Sequence, residues 1–233
     1  MEMFCRHSRY GLRISGFYKL ERFNVCLLNS LKIILNIMRE FFKRNKKVLL
    51  ISLVIFLIFA VGAAVFTFIN IGDHYGQITK GFFQAKANGT LSVNESMPKL
   101  NTFDLFLHNL FADLIVIVGG LLFSVISLLI IIFNAISIGM PFGTDLTFFS
   151  VTILPHGIIE YAASIFSLAC AFKITKLEVE MIKTKSFTNV LKEHRRELKD
   201  ILIMIVVVVV LLAVAAVIEC NIVELVVKWY FGI

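Results

Sequence analysis

Two ionisable side chains stand inside an apolar run at Leu154-Pro155-His156-Gly157-Ile158-Ile159-Glu160-Tyr161, and their spacing is where chemistry could begin. Pro155 has no amide hydrogen to donate and fits the first turn of a helix. A helix starting there puts His156 and Glu160 one turn apart on a single face, close enough to pair. Gly157 between them weakens a helix but lets another backbone come close. Glu219 closes the last long apolar run, and Asn134 lies within another. Ionisable groups at membrane depth are costly, so they face a protein interior or a wet cavity and raise a functional suspicion. His156, Glu160, Glu219 and Asn134 are therefore read as an intramembrane polar cluster that either clamps helices together or serves transport.

A secondary polar patch comes earlier, at Asp104, His108, Asn109 and Asp113. Asp104, His108 and Asp113 lie near one helical face and could bind a cation; the plainer reading is the wet outer turns of a long helix. A mixed nitrogen and oxygen metal site from His156, Glu160, Glu219 and Asp113 is conceivable, but one His with scattered acids lacks the paired His of an H-E-x-x-H protease. No G-x-S-x-G elbow or phosphate-cradling loop is present either. The expectation is no catalytic residue, no metal and no cofactor.

The elements that must position these groups follow from composition. Of 233 residues, 58% are hydrophobic and mean hydropathy is +0.88, too apolar for a soluble domain of this size. Several apolar runs reach the roughly 20 residues that span a bilayer, and they are solid rather than alternating. Helices are the fitting spanning structure, so the fold class is an all-α polytopic integral membrane bundle.

The net charge of +7 is unevenly placed: residues 1–47 hold 11 Lys/Arg against three Glu. A basic block before the first apolar run marks the cytoplasmic side, and it can touch anionic lipid; nucleic acid is the weaker reading. The four cysteines are scattered without a C-x-x-C pair, which supports neither a disulfide framework nor a zinc site. The first apolar run starts too far from Met1 for an ordinary signal peptide and reads as an anchor that stays.

Residues 1–47 are read as a basic cytoplasmic arm, irregular to about residue 17, then an amphipathic interfacial helix with its stripe at Leu20, Phe23, Leu27, Leu31, Ile34, Met38 and Phe41. Residues 48–233 form the transmembrane domain, with spans at about 48–70, 103–138, 148–172 and 201–219. Between them come an external loop, 71–102, carrying sequons at Asn88 and Asn94, and a charged amphipathic segment, 173–200. Gly119, Gly120 and Gly139 permit close helix packing, as does Gly157, and Pro155 breaks its helix. Lys228-Trp229-Tyr230 reads as an interfacial anchor.

One conflict remains in this scheme. If 148–172 crosses fully, the basic segment 173–200 falls outside, against the positive-inside tendency. A re-entrant segment broken at Pro155 keeps it inside; this arrangement is slightly favoured, and both stay open.

Three motifs carry a resemblance. Leu154-Pro155-His156-Gly157-Ile158-Ile159-Glu160 resembles the hallmark of the stage II sporulation protein M family. His108-Asn109, Gly119-Gly120, and Asn134-Ala135 with Ile138-Gly139 are similar to its glycine-bearing span, and Ala215-Ala216-Val217-Ile218-Glu219 to the signature of its last helix. His108 and Ala135 replace an Asn and a Gly of that pattern, and Cys220-Asn221-Ile222 lacks its Thr-Pro. The resemblance implies a multi-pass membrane protein; sporulation members anchor peptidoglycan-degrading partners during engulfment, and many relatives have no known biochemical role.

The functional expectation is a non-enzymatic scaffold in the cell membrane, N-terminus cytoplasmic, contacting the lipid bilayer and recruiting protein partners, among them envelope-remodelling ones, with a homo-oligomer as an option and no nucleic acid. The alternative is a permease-like or channel subunit using the buried His/Glu pair.

Overall fold

In a bilayer, a solid apolar run can satisfy its backbone polar groups only by coiling on itself, and the described apolar runs of this chain do so. The computed structural model describes residues 7–71, 101–144, 146–223 and 225–226. Helix α1 is His7–Asn70, α2 Thr102–Val118, α3 Val125–Thr144, α4 Leu146–Thr152, α5 Leu154–Thr184, α6 Phe187–Glu193 and α7 Arg195–Ile218. A 3₁₀ turn, Gly119–Leu122, follows α2, and a π-helical turn, Glu219–Val223, follows α7. The sequons, most of the 71–102 loop and the Lys228-Trp229-Tyr230 anchor lie outside the described residues.

The chain divides into two compact units, residues 1–46 and 47–233. In the first, helix begins at His7, so the irregular arm expected to residue 17 is already helical there. No break separates the amphipathic stretch from the first span: α1 is helical through all its 64 residues.

Among the described residues, five helices are long and apolar enough to cross a membrane: Leu35–Asn70, Thr102–Leu122, Val125–Thr144, Leu154–Thr184 and Arg195–Ile222. The single span expected over 103–138 is two. The chain turns at Phe123 and Ser124, both with positive φ (51° and 56°), a conformation that non-glycine residues adopt only when held there. What holds it is a hydroxyl relay. Thr175 donates to the Gly120 carbonyl at 2.7 Å, so Ser124 supplies the proton in its 2.6 Å contact with Thr175. Ser127 donates to the Val116 carbonyl at 2.6 Å and closes the hairpin.

The span expected at 148–172 is displaced as well. The helix is interrupted for one residue at Ile153, α4 is a separate short helix, and the crossing-length helix runs Leu154–Thr184 with Pro155 in its first turn. A helix break at this proline was legible; a span straddling it was not what formed. The two flat amphipathic helices expected in 173–200 are instead the end of α5, the short α6 and the start of α7.

Side chains are sorted inside out relative to a soluble bundle. Large residues such as Phe66, Phe111, Phe133 and Leu202 are exposed, while Ala163, Ser167, Ala169, Ala171, Ala215 and Ala216 are buried. With lipid as apolar as leucine, helices associate through close packing of small residues and through hydrogen bonds. Three hydrogen bonds, Asn109–Glu160, Ser164–Asp113 and Ser124–Thr175, each join residues 51 apart, so α2 with its following turn runs parallel to α5 in one register. Helix α7 runs antiparallel to α5, meeting it at Lys173–Asp200 and at His156–Glu219. Gly139 and Gly143 of α3 rest on the Ala60 and Ala64 turns of α1.

Candidate functional site

The parallel register of α2 and α5 brings together two groups of side chains that stand about 50 residues apart in the chain. Asn109 donates through Nδ2 to Glu160 Oε1 at 2.5 Å. One turn further along, Ser164 donates to Asp113 Oδ1 at 3.1 Å. Asp113 is 3% exposed, so it is no wet outer turn; its Oδ2 has no hydrogen-bond partner. Asp104, by contrast, is exposed in the first turn of α2 behind the Asn101 cap, away from this group.

The antiparallel pairing of α5 with α7 brings Glu219 to the same place. His156 Nε2 lies 3.7 Å from Glu219 Oε2, and both side chains are largely buried, at 13% and 28% exposure. One donor atom each from His156, Glu160 and Glu219 falls within 4.8 Å of the others. The four-residue spacing of His156 and Glu160 therefore does set them on one face. Their partner, however, is the acid at the start of a π-helical turn, a rare element found often at functional sites. His156 Nδ1 is buried without a partner.

Beside this trio lies a cavity of about 290 Å³, lined by His108, Asn109, Asp113, Asn134, Ser137, Glu160, Tyr161 and Ser164 among others. The secondary patch and the principal cluster are thus one site, apart from Asp104. Ser164, Ser137 and Tyr161 were not singled out from the sequence; the first lies one turn beyond Glu160 on its face, a signal that was available. Among the described residues no Lys or Arg forms an ion pair with Asp113, Glu160 or Glu219. Three carboxyl groups so placed carry a large desolvation cost unless protons or a cation offset it.

Gly120 and Gly139 do meet a neighbouring helix closely, as expected, whereas Gly157 does not. Gly119 and Gly120 end α2 rather than sit in mid-span, and a methyl on Gly120 would stand 2.8 Å from Ala171 Cα of α5. Gly157 is covered by the ring of Tyr161, one turn along its own helix, and not by another backbone. That ring also stacks on Phe56 of α1, with centroids 5.5 Å apart. At Gly139 an added methyl would collide with the Ala60 carbonyl oxygen, and Gly143 meets Ala64 in the same way. Pro141 between them sits inside α3, which runs on to Thr144.

A second constellation lies at the other end of α5. Glu180 pairs with His194 Nε2 at 2.6 Å, Glu197 with Lys176 at 2.6 Å and with His194 Nδ1 at 3.4 Å, and Lys173 with Asp200 at 3.4 Å. His194 bridges two glutamates.

The family model of stage II sporulation protein M matches residues 48–223, which takes in α2, α5, α7 and every residue of the polar site. No curated protein and no solved structure matches the chain.

Proposed function

Since the chain belongs to the stage II sporulation protein M family, we propose that this multi-pass membrane protein is a non-enzymatic scaffold that holds partner proteins at the cell membrane. The observation that carries the reading is the ion-paired hairpin made by the end of α5, α6 and the start of α7. Two lysine–carboxylate pairs and two His194–glutamate contacts lie inside the hairpin, while Lys183, Lys185, Lys192, Arg195, Arg196 and Lys199 remain exposed. An ordered helical lobe with a basic rim suits an acidic protein surface, where electrostatic complementarity sets encounter rate and specificity.

With all five candidate helices crossing, four precede this lobe, so we read it as lying on the N-terminal side of the membrane. By the positive-inside tendency we read that side as cytoplasmic. Parity is achieved by dividing the 103–138 run, so no re-entrant segment is needed.

A photo-crosslinking residue at position 192, in cells, tests the reading. Protein adducts are expected there and should disappear when Arg195→Glu, Arg196→Glu and Lys199→Glu are combined. A probe at position 133, on the lipid-facing surface, should give lipid adducts in both backgrounds. Lipid adducts alone at 192, or protein adducts indifferent to charge reversal, defeat the scaffold.

The polar cavity favours a second reading, a permease-like subunit, because polar groups at mid-depth commonly mark ion pathways. Ion flux through liposomes holding the purified protein, abolished by Glu160→Gln, would establish it. Silent liposomes with folded protein dispose of it.

A further inference from the structure

The trio on α5 and α7 has a donor set that neither scaffold nor permease requires. A helix clamp needs one donor and one acceptor; here one imidazole and two carboxylates converge within 4.8 Å, contributed by two helices. Asn109, from a third helix, donates to Glu160, as an outer partner does when it orients a ligating carboxylate. A separate observation points the same way. Asp113, almost wholly buried, has one oxygen, Oδ2, without a hydrogen-bond partner, and it is among the residues lining the cavity that Glu160 also lines. A buried carboxylate with one oxygen left unsatisfied is costly, and an ion with its water offsets that cost.

We propose that His156, Glu160 and Glu219 bind one first-row divalent cation, with Asp113 contacting the ion's water in the adjoining cavity. The chemistry of the set fixes the class. One imidazole nitrogen with two carboxylate oxygens suits Zn²⁺ or Mn²⁺, and lacks the thiolates that softer ions prefer. Around a tetrahedral ion with bonds of roughly 2.0–2.2 Å the donors stand roughly 3.4 Å apart. The His156–Glu219 separation of 3.7 Å is already near that value, and Glu160 needs only a side-chain adjustment. Three protein ligands leave a coordination position for water, and the cavity of about 290 Å³ has room for it. The ion would tie the start of α5 to the end of α7, the ends farthest from the Lys173–Asp200 pair.

The test uses the full chain in detergent or nanodiscs, its affinity tag removed, stripped with chelator and then titrated with Zn²⁺, Mn²⁺ and Co²⁺. The wild type should take up about one ion per chain, raise its melting temperature with ion concentration, and give Co²⁺ the absorption of a protein-ligated site. Glu160→Gln keeps an oxygen for Asn109 and Glu219→Gln keeps a neutral contact to His156, so both should fold as a clamp would while binding at least 100-fold more weakly. Asn109→Ala should weaken binding by roughly 10- to 100-fold. Stripped wild type that neither rebinds an ion nor shifts in melting temperature overturns the proposal, whatever the variants do. Binding unchanged in folded Glu160→Gln and Glu219→Gln overturns it equally, by sending the ion elsewhere.

Discussion

A methyl group added at Gly139 tests the packing on which the bundle rests. Gly139 meets the Ala60 turn of α1 so closely that a new Cβ would collide with the Ala60 carbonyl oxygen and stand 2.8 Å from Ala63 Cβ. Carbon atoms prefer about 3.5–4.0 Å, so α1 and α3 must separate by about 1 Å at this point. The obstacle is backbone, which cannot rotate aside as a side chain can. Overpacking of this kind costs about 1–3 kcal/mol, and a rigid obstacle belongs at the upper end. Replacing a helical glycine with alanine returns up to ~1 kcal/mol of propensity, leaving a net loss of about 2 kcal/mol for Gly139→Ala. Gly62 of α1 provides the control, because an added methyl there meets nothing within 4 Å. Gly62→Ala should be neutral or gain up to ~1 kcal/mol, so the two variants should differ by about 3 kcal/mol. Equilibrium unfolding in mixed detergent, followed by circular dichroism or by a tryptophan probe, measures this difference. Gly139→Ala as stable as Gly62→Ala would refute the close α1–α3 seam, and with it the packing role assigned to Gly143.

Other perturbations probe the remaining levels. Lys173→Met removes the ammonium that faces Asp200, 2% exposed, and should cost about 1–3 kcal/mol. The double variant Lys173→Met/Asp200→Leu should recover most of that loss in the same unfolding assay, and no recovery would show that the pair does not act as a unit. Asn109→Ala removes the donor to Glu160 and should destabilise the protein by about 0.6–2 kcal/mol in detergent without metal; an unchanged midpoint speaks against that hydrogen bond. Cys170 is fully buried, so in a variant with the other three cysteines changed to serine a maleimide should react only after denaturation. Labelling at comparable rates in folded and unfolded protein would contradict the packing of α5. A lone Lys192→Cys should react with an impermeant maleimide in inverted vesicles and not in intact cells; the opposite result reverses the five-pass topology.

Periodicity and composition made the all-α membrane class and the start of α5 legible, because solid apolar runs and a proline with no donor have few alternatives in lipid. The same evidence misjudged the 103–138 run. Its length is compatible with one long tilted helix or with a tight hairpin. The choice falls to the Ser124–Thr175–Gly120 relay, whose members lie 51 and 55 residues apart and leave no local mark. Gly119 and Gly120 were visible as sites of close approach, yet whether that approach is mid-span or at a turn depends on the same contact.

The sequence by itself determined which residues lipid would not tolerate singly: His156, Glu160, Glu219, Asn109, Asn134 and Asp113 had to find company, since a lone polar group in hydrocarbon is too costly to keep. Tertiary structure alone decided the company. The parallel register of α2 on α5 and the antiparallel return of α7 merged two patches into one site, excluded Asp104 from it, and gave His156 an acid 63 positions away as its neighbour. Spacing along one helix fixes a face; which faces meet is settled by packing between helices, where a slip of one turn changes every partner.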